Sequence, residues 1–227
     1  QQTDAAVWGK AKPNAKVTIT TTWSKTKTVV YADAEGKWSG SIATPVAGGP
    51  YEITFNDGEK LTIKNVLIGE VWICSGQSNM EMQMKGFNGQ PIEGATELIV
   101  SAKPSTLIRS CNLKRERSLE TQDICPATWY EHTPEGVHEA SATAYFFAKK
   151  LYETLDVPVG IINVSWGGTP IEAWMNPELL KKEFADELNL NHLDTKVWPE
   201  NMPYKAPGVL YNGMMHSIIP FTAKGFI

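Results

Sequence analysis

The amino-acid sequence predicts a small all-β module followed by an α/β domain. Up to about residue 66, short runs alternate apolar and polar residues between turn residues, which is the pattern of strands with one buried face. From Val66 onwards continuous apolar runs replace the alternation, and such runs are typical of strands that helices cover on both faces. We therefore assign residues 1–66 to the β module and residues 67–227 to the α/β domain.

The first module contains regularly spaced strand signals. Alternating or β-branched runs occur at residues 17–20, 28–31, 38–42 and 51–55. Asp57-Gly58 is a dipeptide that favours a tight hairpin, and the alternation resumes at Leu61. Short strands at this spacing predict a small β-sandwich. Because so short a segment buries only a limited core, we expect the module to lean on its neighbour.

The second domain shows a strand, helix, strand order. Residues 71–74 are continuously apolar, and residues 159–164 form a second apolar run. Between them, residues 141–155 predict an amphipathic helix, with Ala144, Ala148 and Leu151 on one stripe. This order implies a right-handed crossover between parallel strands. Residues 107–109 predict a further short strand, whereas residues 129–139 are expected to be irregular.

Ser78 lies just beyond the first apolar strand, in the segment Ser75-Gly76-Gln77-Ser78-Asn79. In open α/β sheets reacting groups gather at the carboxyl ends of the strands, where a rigid sheet holds accessible loops. Asn79 or Ser78 is suitable to cap a helix that starts at about Met80. These five residues alone are equally compatible with Ser78 as a nucleophile and with a simple polar turn.

Five ordered segments resemble one known family. Gly76-Gln77-Ser78-Asn79-Met80 after an apolar strand is similar to the nucleophile block of the SGNH hydrolases, in the carbohydrate-ester branch typified by sialate O-acetylesterase. Four further similar segments follow the family order and together span nearly the whole chain: VWGKA at 7–11, GGPYEI at 48–53, VPVGIINVSWGGTPIEAW at 157–174 and LYNGM at 210–214.

The resemblance implies a fold and a reaction. It implies an immunoglobulin-like sandwich for the first module and a three-layer SGNH-hydrolase fold, incomplete at its C-terminus, for the second. Ser78 would be the nucleophile, and backbone N–H groups must then face the oxygen on which negative charge develops. We assign these donors to Ser78 and Gly168, with Gly167 as the second choice, since glycines at a strand end permit close approach. A tight turn without a ligand is the alternative for the two glycines.

Further substrate contacts are expected from residues beside these segments. Gln77 and Asn79 flank Ser78. Each could bind substrate or fix the conformation of the loop, and the second role is favoured. Gly167, the second choice of oxyanion donor, is also expected to contact the substrate. Tyr211 and Asn212 resemble a pocket segment of the family.

The sequence shows no general base that matches the family pattern. A serine nucleophile needs a histidine base, usually oriented by a carboxylate. SGNH enzymes carry the pair late in the chain as Asp-x-x-His, and no such tetrapeptide occurs among the histidines His132, His138, His192 and His216. The family's Gln-Gly-Glu type segment is also missing. We therefore expect the front part of a larger enzyme, nearly inactive alone, completed by a C-terminal remainder or a second chain.

Composition excludes several other classes. A net charge of −4 gives no basic footprint for nucleic acid, and no run approaches the roughly 18 apolar residues of a membrane span. Three cysteines without a CxxC pair predict neither a disulfide framework nor a zinc site, although pairing of Cys111 with Cys125 stays open. No metal or organic cofactor is expected. No signal peptide is visible, whereas the resemblance implies a secreted, periplasmic or lysosomal protein.

The sequence therefore favours a carbohydrate O-acetylesterase that removes acetyl groups from sialic acid or related sugars through a serine acyl-enzyme. An acetylxylan-type esterase of the same superfamily is one alternative. A non-catalytic carbohydrate-binding protein on a hydrolase scaffold is the other, and the missing base favours it.

Overall fold

The computed structural model describes all 227 residues, which form eleven strands and seven α-helices. The strands are β1 (Asp4–Lys10), β2 (Lys16–Thr21), β3 (Ser24–Tyr31), β4 (Lys37–Ala43), β5 (Gly48–Asn56), β6 (Lys60–Ile68), β7 (Glu70–Gly76), β8 (Ile108–Leu113), β9 (Ala127–Tyr130), β10 (Val159–Ser165) and β11 (Gly225–Phe226). The helices are α1 (Ser78–Glu81), α2 (Ala95–Val100), α3 (Pro134–Glu139), α4 (Ala142–Leu155), α5 (Pro177–Glu183), α6 (Asn191–Thr195) and α7 (Val209–Gly213).

The first six strands build two antiparallel sheets. β1 pairs with β4, and β3, β2, β5 and β6 form a four-stranded sheet in that order. The four predicted strand runs are confirmed at β2 to β5, and the hairpin after Asn56 leads into β6 as expected. The sequence analysis missed β1. Val17, Ile19, Trp38 and Ile42 alternate inward along β2 and β4 and form the core of this part of the chain.

β6 ends at Ile68, and Gly69 alone separates it from β7 in the next sheet. A Cβ atom on Gly69 would lie 1.9 Å from the carbonyl oxygen of Pro158, so only glycine fits this close passage. The change from one sheet to the next is therefore completed within a single residue.

The second sheet has five strands in the order β11, β7, β10, β8, β9. The first four are parallel, and β9 runs antiparallel along the edge. β7 and β10 are neighbours, and their register sets Gly76 opposite Ser165. The carboxyl ends of these two strands therefore coincide, which brings the residues that follow each strand together.

Apolar side chains pack on both faces of this sheet. Cys74 and Ile161 face one side and pack against Ala144 and Ala148 of α4, which confirms the predicted stripe of that helix. Their chain neighbours Ile73 and Ile162 point to the other side, into a cluster that includes Met214. Successive side chains of a strand point to opposite faces of the sheet, and both faces are buried here. Most positions in these strands are therefore apolar, which explains the continuous apolar runs in the sequence.

The prediction that residues 129–139 are irregular is wrong, because β9 and α3 occupy most of them. The signal for α3 was present in the sequence. The Thr133 hydroxyl accepts a 3.1 Å hydrogen bond from the N–H of Gly136, and Pro134 is the first helical residue. A threonine N-cap followed by proline is a known helix start.

The two parts of the chain contact each other through side chains and backbone. The rings of Trp8 and Phe221 pack edge to face at 6.4 Å, and the N–H of Ala6 donates a 2.9 Å hydrogen bond to Thr222. This confirms the expected support of the β module by its neighbour. No helix in the structure combines the length and hydropathy required to cross a bilayer.

Candidate active site

Ser78 is exposed at the carboxyl end of β7. It is the first residue of α1, and the flanking residue Gln77 makes no side-chain capping bond. The prediction that Asn79 or Ser78 caps a helix starting at Met80 is therefore wrong, since the helix begins at Ser78 itself. The Ser78 N–H heads the helix and has no intrahelical acceptor. Its hydroxyl has no hydrogen-bond partner within the protein, unlike the neighbouring Gln77 and Glu81 side chains.

Residues 166–169, which we call the glycine turn, face Ser78 from the end of β10. A Cβ atom on Gly167 would lie 3.1 Å from the Ser78 Oγ, tighter than ordinary contact. Glycine at this position therefore allows the turn to approach the hydroxyl. Gly168 adopts φ +73°, a left-handed conformation, and a Cβ there would meet open space.

The two glycine N–H groups differ in their partners. The Gly167 N–H donates a 3.0 Å hydrogen bond to Oε2 of Glu81. The Gly168 N–H has no acceptor within the protein. Only the second of these donors is free to bind a ligand.

Buried hydrogen bonds hold the glycine turn in place. The Gln77 side-chain amide donates to the carbonyl of Thr169, which ties the turn to the Ser78 loop. Thr169 is 1% exposed, and its hydroxyl donates a 2.6 Å bond to the carbonyl of Trp166 and accepts a 2.9 Å bond from the Trp174 indole N–H. The turn is thus fixed by Thr169 together with Gln77 and Trp174 outside it, and the amide of Gln77 is already used in this contact.

Charged and aromatic groups surround the same turn. Glu81 forms an ion pair with Arg115, whose guanidinium carbon lies 5.8 Å from the centre of the Trp166 ring. Trp166 in turn stacks on Tyr204, with ring centres 5.2 Å apart and planes within 6°. The sequence analysis assigned no role to Glu81, Arg115 or Tyr204. The only sequence signal was the position of Glu81, three residues after Ser78 and so on the same helical face.

The other expected substrate contacts lie in two places. The Asn79 side chain is exposed and has no protein partner, whereas the backbone carbonyl of Asn79 accepts a 2.9 Å hydrogen bond from the Thr143 hydroxyl. Tyr211 and Asn212 line a separate polar cavity of about 300 Å³. There the Tyr211 hydroxyl accepts a 2.9 Å bond from Asn176, and the 2% exposed Asn212 keeps an unpartnered side-chain oxygen. No hydrogen bond joins this cavity to Ser78.

None of the four histidines contacts Ser78. Each ring nitrogen that is hydrogen-bonded has its partner elsewhere: His132 Nε2 with the Tyr145 hydroxyl at 2.9 Å, His138 Nδ1 with Glu139 at 2.7 Å, His192 Nε2 with the Pro207 carbonyl at 2.8 Å and His216 Nδ1 with the Gln122 carbonyl at 3.2 Å. No histidine is therefore hydrogen-bonded to the Ser78 hydroxyl.

His132 predicts a pH dependence of stability. Burial, assisted by the positive charge of Lys149, lowers the pKa of His132 from its usual 6.5 in the folded protein. The unfolded chain takes up a proton near pH 6.5 while the folded chain resists it, so stability is lost as pH falls below that value. We expect His132→Gln to flatten this slope in urea unfolding measured between pH 7.5 and 5. An unchanged slope in the variant would contradict this assignment.

The cysteines form no disulfide, and they are not grouped with acidic residues as metal ligands would be. All three cysteines are free, so Cys111 and Cys125 are not bridged. Burial raises the pKa of the Cys74 thiol to about 12, which keeps it protonated and unreactive at neutral pH. No three His, Cys, Asp or Glu side chains are grouped as metal ligands would be.

A comparison with known families decides the relationship. Residues 68–199 match the model of the family described as carbohydrate esterase, sialic acid-specific acetylesterase. The chain belongs to this family. The matched range contains both Ser78 and the glycine turn, the two segments that the sheet brings together.

Relatives and a solved structure agree with this membership. Sialate O-acetylesterase of Homo sapiens is 33% identical over 98% of the chain, and that of Mus musculus is 30% identical over the same share. A carbohydrate acetylesterase from Xanthomonas citri covers the whole chain with a TM-score of 0.83 and 31% identity. The chain spans 44% and 47% of the two mammalian relatives and 47% of the bacterial one.

Proposed function

We propose that the protein is a carbohydrate O-acetylesterase in which Ser78 is the nucleophile. The observation that carries the proposal is the exposed Ser78 hydroxyl facing a glycine turn whose Gly168 N–H has no partner. Membership of an acetylesterase family supports the same reaction. This reaction needs an accessible nucleophile beside preorganised donors, and an exposed hydroxyl beside an unpartnered N–H supports that assignment.

The proposed reaction has two steps. Ser78 Oγ attacks the acetyl carbonyl carbon, and the carbonyl oxygen becomes negatively charged. A base takes the Ser78 hydroxyl proton during the attack and passes it to the sugar oxygen as the intermediate collapses, so the sugar leaves as an alcohol and the acetyl group stays on Ser78. Water, deprotonated by the same base, then attacks the acetyl-serine, and acetate leaves as the proton returns to Ser78 Oγ.

We assign the oxyanion donors to the N–H groups of Ser78 and Gly168. The Gly167 N–H is already bound to Glu81, which supports the choice of Gly168 over its neighbour. Removing one such donor typically costs about 2.7 to 4 kcal/mol in the barrier. Because the four histidines are held elsewhere, we infer that the base and its orienting carboxylate come from a polypeptide segment other than these 227 residues.

The finer fold assignment belongs to the same proposal. Apolar packing on both faces of the parallel sheet supports the three-layer SGNH arrangement, and the two antiparallel sheets before it support an immunoglobulin-like sandwich. The single-residue link at Gly69 supports a division into two domains close to residue 66. A secreted, periplasmic or lysosomal location stays a prediction from the resemblance.

We propose O-acetylated sialic acid as the substrate, on the basis of the family description and the two mammalian relatives. The test compares acetate release by the full-length gene product from an O-acetylated sialic acid and from an acetylated xylo-oligosaccharide. We expect the larger kcat/KM for the sialic acid. A larger value for the xylo-oligosaccharide would favour the second candidate, an acetylxylan-type esterase, which is also compatible with similarity to a bacterial carbohydrate acetylesterase. Acetate release from neither sugar would favour a non-catalytic binding protein.

A further inference from the structure

We propose that Glu81 is a positioning residue that holds the glycine turn against Ser78, so that the Gly168 N–H keeps its aim at the developing oxyanion. This inference rests on the proposed function, because it concerns the geometry of the same site. It assigns a specific task to a side chain that does not itself touch the reacting atoms.

The contacts of the Glu81 carboxylate carry the proposal. Oε2 accepts the 3.0 Å hydrogen bond from the Gly167 N–H. The same oxygen lies 2.7 Å from the position that a Gly167 Cβ would occupy, so it fills the space beside the glycine. Glu81 lies on the short helix headed by Ser78, and its side chain is only 15% exposed. The carboxylate therefore links the nucleophile's own helix directly to the opposite turn.

Arg115 makes this carboxylate compatible with an anionic transition state. An unpaired negative charge beside Ser78 would oppose the charge that develops on the substrate oxygen. Glu81 is paired with Arg115, and the guanidinium also lies 5.8 Å from the ring centre of Trp166, the first residue of the turn. Helix α1 is thus linked to the glycine turn in two ways: directly through Glu81 and Gly167, and through Arg115, which contacts both Glu81 and Trp166.

Oε2 of Glu81 accepts the hydrogen bond from the Gly167 N–H, whereas Oε1 forms the ion pair with Arg115 and accepts no hydrogen bond. This carboxylate makes no hydrogen bond to the Ser78 hydroxyl. Its geometry fits a hydrogen-bond acceptor that fixes a backbone segment. The expected effect is therefore on turnover rather than on substrate binding.

The kinetic test uses Glu81→Ala and Glu81→Gln in the full-length gene product, with Glu153→Ala as a matched control. Glu153 pairs with Lys149 on α4 but has no contact with the turn. We expect Glu81→Ala to lower kcat for an aryl acetate about ten- to a hundredfold, less than complete loss of an oxyanion donor, with KM little changed. Glu81→Gln should recover most of the loss, because its amide oxygen still accepts from Gly167. Glu153→Ala should match the parent.

The outcomes separate this inference from the function on which it rests. If Glu81→Ala turns over at the parental rate while Ser78→Ala is inactive, the positioning role of Glu81 is overturned but the proposed esterase function is retained. Equal losses in Glu81→Ala and Glu81→Gln would also overturn it, since charge rather than hydrogen bonding would then matter. A parent protein that cleaves no acetyl ester would remove the proposed function and the inference together.

A second measurement does not depend on activity. With glycine-selective ¹⁵N labelling, the Gly167 amide proton should exchange faster with solvent and shift upfield in Glu81→Ala, while Glu81→Gln should stay close to the parent. An identical Gly167 resonance in the parent and in Glu81→Ala would contradict the claim that the Glu81–Gly167 hydrogen bond restrains the glycine turn. This readout remains informative if Glu81→Ala is too unstable for kinetics, because the Glu81→Gln spectrum still tests it.

Discussion

Ser78→Ala is expected to lower kcat of the full-length gene product for an aryl acetate by about a million-fold, the scale seen when a serine hydrolase loses its nucleophile. The hydroxyl is exposed and lies 3.1 Å from the position that a Cβ on Gly167 would occupy, so a substrate can reach it beside the glycine turn. Cys74, the nearest thiol in the sequence, stays protonated in the core. The measurement is steady-state hydrolysis of the acetate ester.

Ser105→Ala is the matched control for this variant. Ser105 is also an exposed serine, but it precedes β8 and therefore lies at the amino end of a parallel strand, away from the reactive edge. Its removal should leave the rate unchanged. Parental turnover in Ser78→Ala would contradict the proposed nucleophile.

Gly168→Ala is expected to lower kcat about a hundredfold while the protein stays folded. The backbone φ of +73° is unfavourable for an L-residue by about 1–2 kcal/mol, and relief of this strain rotates the peptide that carries the Gly168 N–H. A donor turned away from the oxyanion no longer stabilises it. Steady-state kinetics and a thermal melt of the same sample separate the two effects.

Gly94 supplies a control with the same backbone strain. Its φ is +70°, and a Cβ there would also meet open space. Gly94→Ala should therefore lower the melting temperature as much as Gly168→Ala does, without affecting kcat. Equal kcat values for the two variants would show that the Gly168 N–H does not contribute to the reaction.

The meeting of Ser78 with the glycine turn was largely predictable from sequence. Both segments follow apolar strands, and the strand, helix, strand order makes those strands parallel, so their carboxyl ends share one edge. The pairing of Gly76 with Ser165 adds the exact register, which no local pattern encodes. The order β7, β10, β8 in the sheet likewise depends on long-range pairing.

Glu81 was missed because its partners are distant in the chain. Gly167 lies 86 residues away, and Arg115 lies in a charged stretch that reads as a solvated surface. Only the folded sheet brings these groups to one place. Local capping signals, by contrast, were available for α3 at Thr133 and Pro134 and could have corrected the irregular assignment of that segment.

The positions of the four histidines could not be read from the sequence motif alone. The sequence shows that Asp-x-x-His is absent and leaves His216 as the only downstream candidate, but it does not show where any histidine side chain lies. The structure gives each of them a partner away from Ser78, such as the Tyr145 hydroxyl for His132 and the Pro207 carbonyl for His192. These are long-range contacts that spacing along the chain does not reveal.

Peptide mapping of the adduct formed by a fluorophosphonate probe tests the central claim most directly. The probe phosphonylates an activated serine hydroxyl with loss of fluoride, and mass spectrometry of the digested protein locates the modified residue. The full-length gene product should carry a single phosphonyl group, on the peptide that contains Ser78. Modification of a different serine, with the Ser78 peptide recovered unmodified, would contradict the claim that this hydroxyl is the nucleophile.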